Sequence, residues 1–212
     1  MADSLFTLSL LETRILGTLI EKQHTVPDTY PLSVNALMAG CNQKTSRNPV
    51  IEAGEAEILV ALDHLKDLGL VREVSGSRVS RFEHLFEKAL GIPTQASALL
   101  TVLMLRGPQT AGELRLNSER LHRFADISSV EAFLEELASR ANNPLVVELP
   151  RLPGSRENRW SHLLSGQPAV EASGGRPAAV GNQELEELRD RVTALEAEVA
   201  ELRALLLDRT SD

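Results

Sequence analysis

The run Gly76-Ser77-Arg78-Val79-Ser80-Arg81-Phe82-Glu83-His84-Leu85 returns as Gly154-Ser155-Arg156-Glu157-Asn158-Arg159-Trp160-Ser161-His162-Leu163, at a constant offset of 78. A recurrence at that distance is too long for a solenoid repeat and points to two similar domains in tandem. In each copy a leucine-rich helical run and a short apolar stretch come first, so the repeating unit reads helix, strand, glycine turn, strand. That is the second half of a winged helix. It predicts an α+β chain, mainly α, made of tandem winged-helix (helix-turn-helix with β-wing) domains.

Read from the start, Ser9 and Glu12 form a capping box, and Leu11, Ile15, Leu16, Leu19 and Ile20 follow at helical spacing, predicting a first helix near 10–23. Pro27 and Pro31 stop it, since each lacks an amide donor and restricts its predecessor. Ser33 caps a short second helix, with Leu32 and Leu37 placed as a hydrophobic staple. The run Cys41 to Pro49 is polar, holds Lys44 and Arg47 and no acid, and predicts an exposed loop. From about Glu55, Ile58, Leu62, Leu65 and Leu68, with Leu59, predict a third helix ended by Gly69. Leu70 to Val74 and Val79 to Phe82 read as wing strands. The second unit repeats the plan: a helix near 95–106, a capping box at Thr110 and Glu113, and a third helix opened by Ser128 and Glu131 with Val130, Phe133, Leu134, Leu137 and Ala138 inward. Leu145, Val147 and Leu149 alternate as a strand.

Ser165 to Gln183 is rich in Gly, Pro, Ala and Ser and has no apolar period, which predicts a flexible linker. Beyond it Leu185, Leu188, Val192, Leu195, Val199, Leu202 and Leu206 step by three and four, a heptad seam. With Leu185 at position a, Glu184 faces Arg189, Arg191 faces Glu196, and Glu198 faces Arg203 across a parallel dimer, and all three pairs attract. The competing reading is a lone amphipathic helix folded back on its own domain.

The expected organisation is therefore winged-helix domain 1 at 1–90, winged-helix domain 2 at 91–165, a linker at 166–183 and a dimerising coiled-coil helix at 184–208.

The third helix and the wing are the elements with which such domains meet DNA. Arg78, Arg81, Arg156 and Arg159 occupy matching places on the two wings, where arginine can pin phosphates or enter a narrow minor groove, and Lys44 and Arg47 could add phosphate contacts. Against this stand 22 basic residues to 30 acidic ones. The third helices also expose acids: Glu55, Glu57, Asp63 and Asp67 on one, Glu131, Glu135 and Glu136 on the other. Acidic faces repel phosphate. Arg81 and Arg159 could equally stack on the aromatic residue beside each, and a polar loop of turn formers needs no function to explain it. His84 and His162, counted in twos with Phe82, Phe86, Trp160 and Leu164, read as core histidines. No second His or Cys stands at metal spacing, and nucleophile-elbow, Walker and dinucleotide glycine patterns are absent, so no metal, cofactor or catalytic residue is expected. One cysteine, Cys41, excludes an intrachain disulfide. No cationic leader precedes the first helix and no apolar run is long enough to span a bilayer, which together favour the cytoplasm.

The chain resembles the YceH family, uncharacterised bacterial proteins built from tandem winged helices. The resemblance rests on L-E-T-R-I-L-G-T-L-I-E-K-Q at 11–23, Y-P-L-S-V-N at 30–35 and C-N-Q-K-T-S-R-N-P at 41–49. L-R-G-P-Q-T-A-G-E-L-R at 105–115 and P-G-S-R-E-N-R at 153–159 add to it, and the late heptads are similar too. It implies the winged-helix fold and a bacterial cytoplasmic setting, and it carries over no catalytic residue.

Two functions remain open on this reading. One is a non-enzymatic regulatory protein that contacts DNA through Lys44, Arg47, Arg78, Arg81, Arg156 and Arg159, as a homodimer. The other is an acidic tandem winged-helix adaptor that binds protein.

Overall fold

The computed structural model describes residues 7–74, 79–152 and 154–168. The expected tip of the first wing with Arg78, the expected linker from residue 169 on and the expected coiled-coil seam from Leu185 to Leu206 lie outside the described residues.

Ser9 begins α1 (Leu10–Thr25) as expected: its hydroxyl accepts the Glu12 amide, and the Glu12 carboxylate accepts the Ser9 amide at 2.6 Å. A single 3₁₀ turn at Pro27–Thr29 and a two-residue strand β1 (Leu32–Ser33) lead into α2 (Val34–Cys41), where Ser33 accepts the Ala36 amide. Next come α3 (Glu55–Asp67) and the antiparallel strands β2 (Val71–Val74) and β3 (Arg81–His84). Between α3 and β2, Gly69 takes φ 70°, the left-handed value that ends a helix cheaply only for glycine. The first sheet has three strands, because β1 pairs with β3 on the side away from β2.

Leu85 then leaves the sheet and α4 (Phe86–Leu90) follows. Phe86 is thus a buried helical residue and not a continuation of β3, and Leu164 likewise lies past its strand. Counting in twos fails at both because the strands end after four residues. The second half comprises α5 (Thr94–Arg106), α6 (Ala111–Asn117), α7 (Ile127–Ala138), β4 (Val146–Leu149) and β5 (Arg159–His162). Thr110 and Glu113 form the capping box of α6. The start of α7 corrects the sequence reading: Asp126 and Ser129 form the box, two residues before Ser128 and Glu131, since the Asp126 carboxylate is free to accept the Ser129 amide at 2.8 Å. The inward residues of β4 are Val146 and Leu149, not Val147, which is only half-buried.

The repeat reappears as register. Val71 pairs with His84 and Val74 with Arg81; Val146 pairs with His162 and Leu149 with Arg159. Leu32 sits opposite Phe82 in β1, and Gln109 forms a single bridge opposite Trp160, the matching residue.

Buried apolar residues of both halves form one connected cluster, from Leu8, Ile15 and Leu62 to Leu99, Leu134 and Trp160, where the repeat suggested two cores. The cause is α1, buried all round from Glu12 to Ile20 because α2 and α3 cover one side and α5 the other. Gly17 permits that approach: a Cβ there would stand 2.9 Å from Leu105 side-chain carbons. Among the described residues no helix is long and apolar enough to cross a membrane.

Candidate functional site

The loop from Cys41 to Pro49 is held from inside by two arginines. Arg14, in the middle of α1, is fully buried and donates to the Cys41 carbonyl at 3.1 Å and the Pro49 carbonyl at 2.6 Å, so one side chain clamps both ends. Its Nε has no partner among the described residues, and burial, followed by the charge of nearby Arg47, pulls its pKa down. Arg47 was expected on the surface with Lys44. Instead its guanidinium lies inside, donating to both carboxylate oxygens of Glu21 at 3.2 and 2.6 Å, to the Gly40 carbonyl at 3.1 Å and to the Ser46 carbonyl at 2.9 Å. Four of its five N–H donors are committed and the group is buried, so it is not presented to a phosphate. Burial pushes the Glu21 carboxyl up, but the Arg47 bonds and charge outweigh it and hold the group below its ordinary value.

The wing arginines are not equivalent either. Arg81 is exposed, yet its Nη1 donates to the carbonyls of Thr29 at 3.2 Å and Pro31 at 2.7 Å, pinning the 3₁₀ turn to β3. Arg159 is half-buried with Nε out of solvent. Arg156 and Lys44 are exposed, and Arg78 lies outside the described residues. Of the six cations expected to meet nucleic acid, Lys44, Arg81 and Arg156 are exposed among the described residues, and Arg81 is engaged by backbone carbonyls.

Both repeat histidines face inward. His84 accepts or donates at Nε2 to Gln23 Oε1 at 2.7 Å, and its amide donates to the Tyr30 hydroxyl at 2.8 Å. Burial lowers the pKa of each to about 4, so both are neutral near pH 7.

The outward face of α3 carries Glu55, Glu57, Asp63 and Asp67, and Lys66 is paired with Asp63 at 2.8 Å. Between these acids stand two apolar residues, Val60 at 71% exposure and Leu59 at 41%. Sequence periodicity had placed Leu59 inward with Ile58; the helix turns Ile58, Leu62 and Leu65 to the core and leaves Leu59 at the edge. Val60, Ala56 and Ala61 line, with Leu11 of α1, a shallow groove of about 390 Å³ rimmed by Ser9, Glu12 and Glu57. His64 Nδ1 meets Glu12 Oε1 at 2.5 Å and ties the two helices along it. Burial raises the Glu12 carboxyl pKa, but the His64 and Ser9 hydrogen bonds prevail and lower it, so the rim stays anionic. On α7 Glu131, Glu135 and Glu136 are exposed, while Arg140 turns away to donate to the Leu90 carbonyl at 2.9 Å.

This site was legible only in part. The signal for Val60 was an apolar residue one step off the inward stripe. Arg14 announced itself as a cation inside an otherwise apolar helical run.

A family model described as "Protein of unknown function, DUF480" matches residues 8–155. A UPF0502 protein of Dechloromonas aromatica (strain RCB) is 81% identical over 213 residues, covering 100% of both chains. A UPF0502 protein of Burkholderia pseudomallei (strain 668) is 63% identical over 202 residues, covering 94% of this chain and 86% of the relative. One from Burkholderia orbicola (strain MC0-3) is 61% identical over 210 residues, covering 97% and 89%. With the family model spanning most of its length and these relatives nearly all of it, the chain belongs to the DUF480 family of UPF0502 proteins, the YceH-like bacterial group that its loop and wing motifs resemble.

Proposed function

We propose that the chain is a non-enzymatic regulatory adaptor of the bacterial cytoplasm: two winged-helix units, 1–90 and 91–165, that bind a protein partner. The heptads of 184–208 pair two copies in parallel and present the binding face twice. The observation that carries this reading is Val60, exposed at 71% on the helix that in a DNA-binding winged helix would enter the major groove. An apolar floor flanked by Glu12 and Glu57 fits an amphipathic segment with lysine or arginine beside leucine-like residues, and it repels a phosphate backbone.

Contact with DNA through Lys44, Arg78 and Arg156 is the second reading, favoured by the exposure of Lys44 and Arg156. The test combines two measurements. A photo-crosslinking amino acid at position 60 in nuclease-treated cells should capture one defined protein, and the same group at Glu135 should not. A random duplex titrated at ~50 mM salt should not bind, at the ionic strength where attraction to phosphate is strongest. Saturable duplex binding that is lost on replacing Arg156, with no crosslink at 60, would overturn the adaptor reading in favour of DNA.

A further inference from the structure

The inner face of the Cys41 to Pro49 loop forms one wall of a second cavity, which neither reading above uses. It measures about 300 Å³ and lies where the ends of α1, α5 and α6 converge beneath the loop. Val102 and Leu105 of α5 form an apolar floor. Lys22, Arg106 and Arg120 supply charge, and Gln43, Thr45 and Asn117 supply amide and hydroxyl groups. The single carboxylate at its edge, Glu21, is held from behind by the bidentate Arg47 and meets Lys22 Nζ at 3.3 Å, so with Arg47 counted the group of charges keeps a positive excess. Three cations thus surround a cleft in a chain whose net charge is −8.

Three helix C-termini also meet here, each with about half a negative charge, and partnering those helix ends is the alternative role for the cations. Two facts decide against that. Charge for charge, three cations exceed the roughly one and a half units that three bare helix ends would present. The end of α5 is moreover capped from outside its helix: the Leu105 carbonyl accepts the Asn48 amide at 2.8 Å. The field in the cleft is therefore positive.

The wall is also built under strain. Ser46 has φ 59°, a left-handed conformation that a side chain disfavours, and two arginines hold it there. Arg47 donates to its carbonyl at 2.9 Å from the interior, and Arg106 donates to its hydroxyl at 2.9 Å from the cleft. Ser46 thereby fixes Arg106 in the cleft wall, and Arg14 fixes the loop that carries Ser46. An arginine held in place loses less freedom on meeting an anion than a loose one.

We propose that this cleft binds a small organic anion bearing a phosphate, with Arg106, Arg120 and Lys22 around the phosphate and the apolar part of the ligand over Val102 and Leu105. The volume sits at the lower end of small-molecule sites, so the ligand is no larger than about a mononucleotide. A duplex does not enter so narrow a cavity, which separates this site from contact with DNA.

The experiment is titration of the full chain with inorganic pyrophosphate and with adenosine 5′-monophosphate, followed by backbone amide shifts and calorimetry. Saturable shifts are expected at Gln43, Ser46, Arg106 and Arg120. Arg106→Gln and Arg120→Gln should each weaken binding by about tenfold or more, the loss of one charge-assisted hydrogen bond. Arg123→Gln, an exposed arginine outside the cleft, should not change it. Arg120 is exposed, so its variant keeps the test open if Arg106→Gln fails to fold. Absence of saturable shifts at millimolar anion, or equal weakening by Arg123→Gln, would overturn the proposal. Shifts at the same residues from a short duplex and from neither small anion would reassign the cleft to backbone phosphate. Val60→Arg should leave binding unchanged, so failure of the adaptor reading does not decide this one.

Discussion

Replacing Arg47 by methionine keeps the aliphatic stem and deletes the guanidinium, which removes both bonds to Glu21 and those to the Gly40 and Ser46 carbonyls. Deleting one member of a buried ion pair costs ~3–5 kcal/mol, because the other charge remains without compensation. Glu21 keeps 19% side-chain exposure and has Lys22 Nζ at 3.3 Å, so the lower end, ~3 kcal/mol, is expected here. In a protein of this size that lowers Tm by roughly 6–12 °C. Urea unfolding of the wild type, Arg47→Met, Glu21→Gln and the double variant gives the coupling energy directly, and the second substitution should cost much less once the first is present.

The pair also fixes a sign with pH. Because the folded Glu21 carboxyl titrates below its ordinary value of 4.5, its contribution is fully present above that pH and is lost as the pH falls through the folded value. The gap between wild type and Arg47→Met should be widest near neutral pH and close on acidification, as Glu21 in the variant, its burial no longer offset by Arg47, takes up a proton before Glu21 in the wild type does. An Arg47→Met protein within ~0.5 kcal/mol of wild type at pH 7, the range of ordinary surface changes, would refute the reading of Arg47 as an interior clamp.

Leu62→Ala and Leu134→Ala, both at fully buried positions on their helices, should each cost ~2–5 kcal/mol in urea unfolding, against ~0.5 or less for Glu135→Ala. Gly17→Ala should destabilise by ~1–3 kcal/mol although alanine is the better helix former, since its Cβ meets Leu105; a stabilised variant would show that α1 and α5 are farther apart. His84 and His162 titrate in the folded state near 4 against an ordinary 6.5, so the unfolded chain binds more protons between those values and stability should fall as pH drops through that window. Replacing both with glutamine should flatten the fall between pH 6.5 and 5, where the carboxylates contribute little, and an unchanged slope would contradict their neutral burial.

Local rules served well where a single element decides its own ends. Ser9, Ser33 and Thr110 cap helices as their spacing predicts, and Gly69 stops α3. What periodicity could not show was how many sides of a helix are covered. Leu11, Ile15 and Leu19 marked one stripe of α1, yet Thr13, Arg14 and Thr18 are buried too, because α5 arrives from a stretch some 80 residues away. The same limit hid the fate of Arg47. A cation in a polar run between turn formers looks exposed until the Glu21 carboxylate, on an element 26 residues earlier, is placed beneath it. Leu59 failed for a smaller reason: a stripe drawn generously takes in one edge residue, and burial at the edge depends on whether a neighbouring element reaches it.

The match between halves extends further than the wing motif, and its limits locate what is particular to each. Pro31-Leu32-Ser33 precedes α2 as Pro108-Gln109-Thr110 precedes α6, with the central residue opposite Phe82 in one case and Trp160 in the other. Aligning the buried faces, Ile58, Leu62 and Leu65 of α3 correspond to Val130, Leu134 and Leu137 of α7. On that alignment Leu59 and Val60 fall on Glu131 and Ala132, so the same helical frame tolerates Glu and Ala at these two outward positions. The packing of this helical frame therefore does not demand an apolar pair there. The joint substitution Leu59→Glu with Val60→Ala should leave stability within ~1 kcal/mol of wild type, two exposed changes of ~0.5 each, while removing the apolar edge of the α1–α3 groove. Crosslinking from a neighbouring groove position such as Ala56 should then lose its protein partner with the fold intact. A partner retained at full yield would mean that Leu59 and Val60 are exposed for some reason other than binding, and the adaptor reading would lose the observation it rests on.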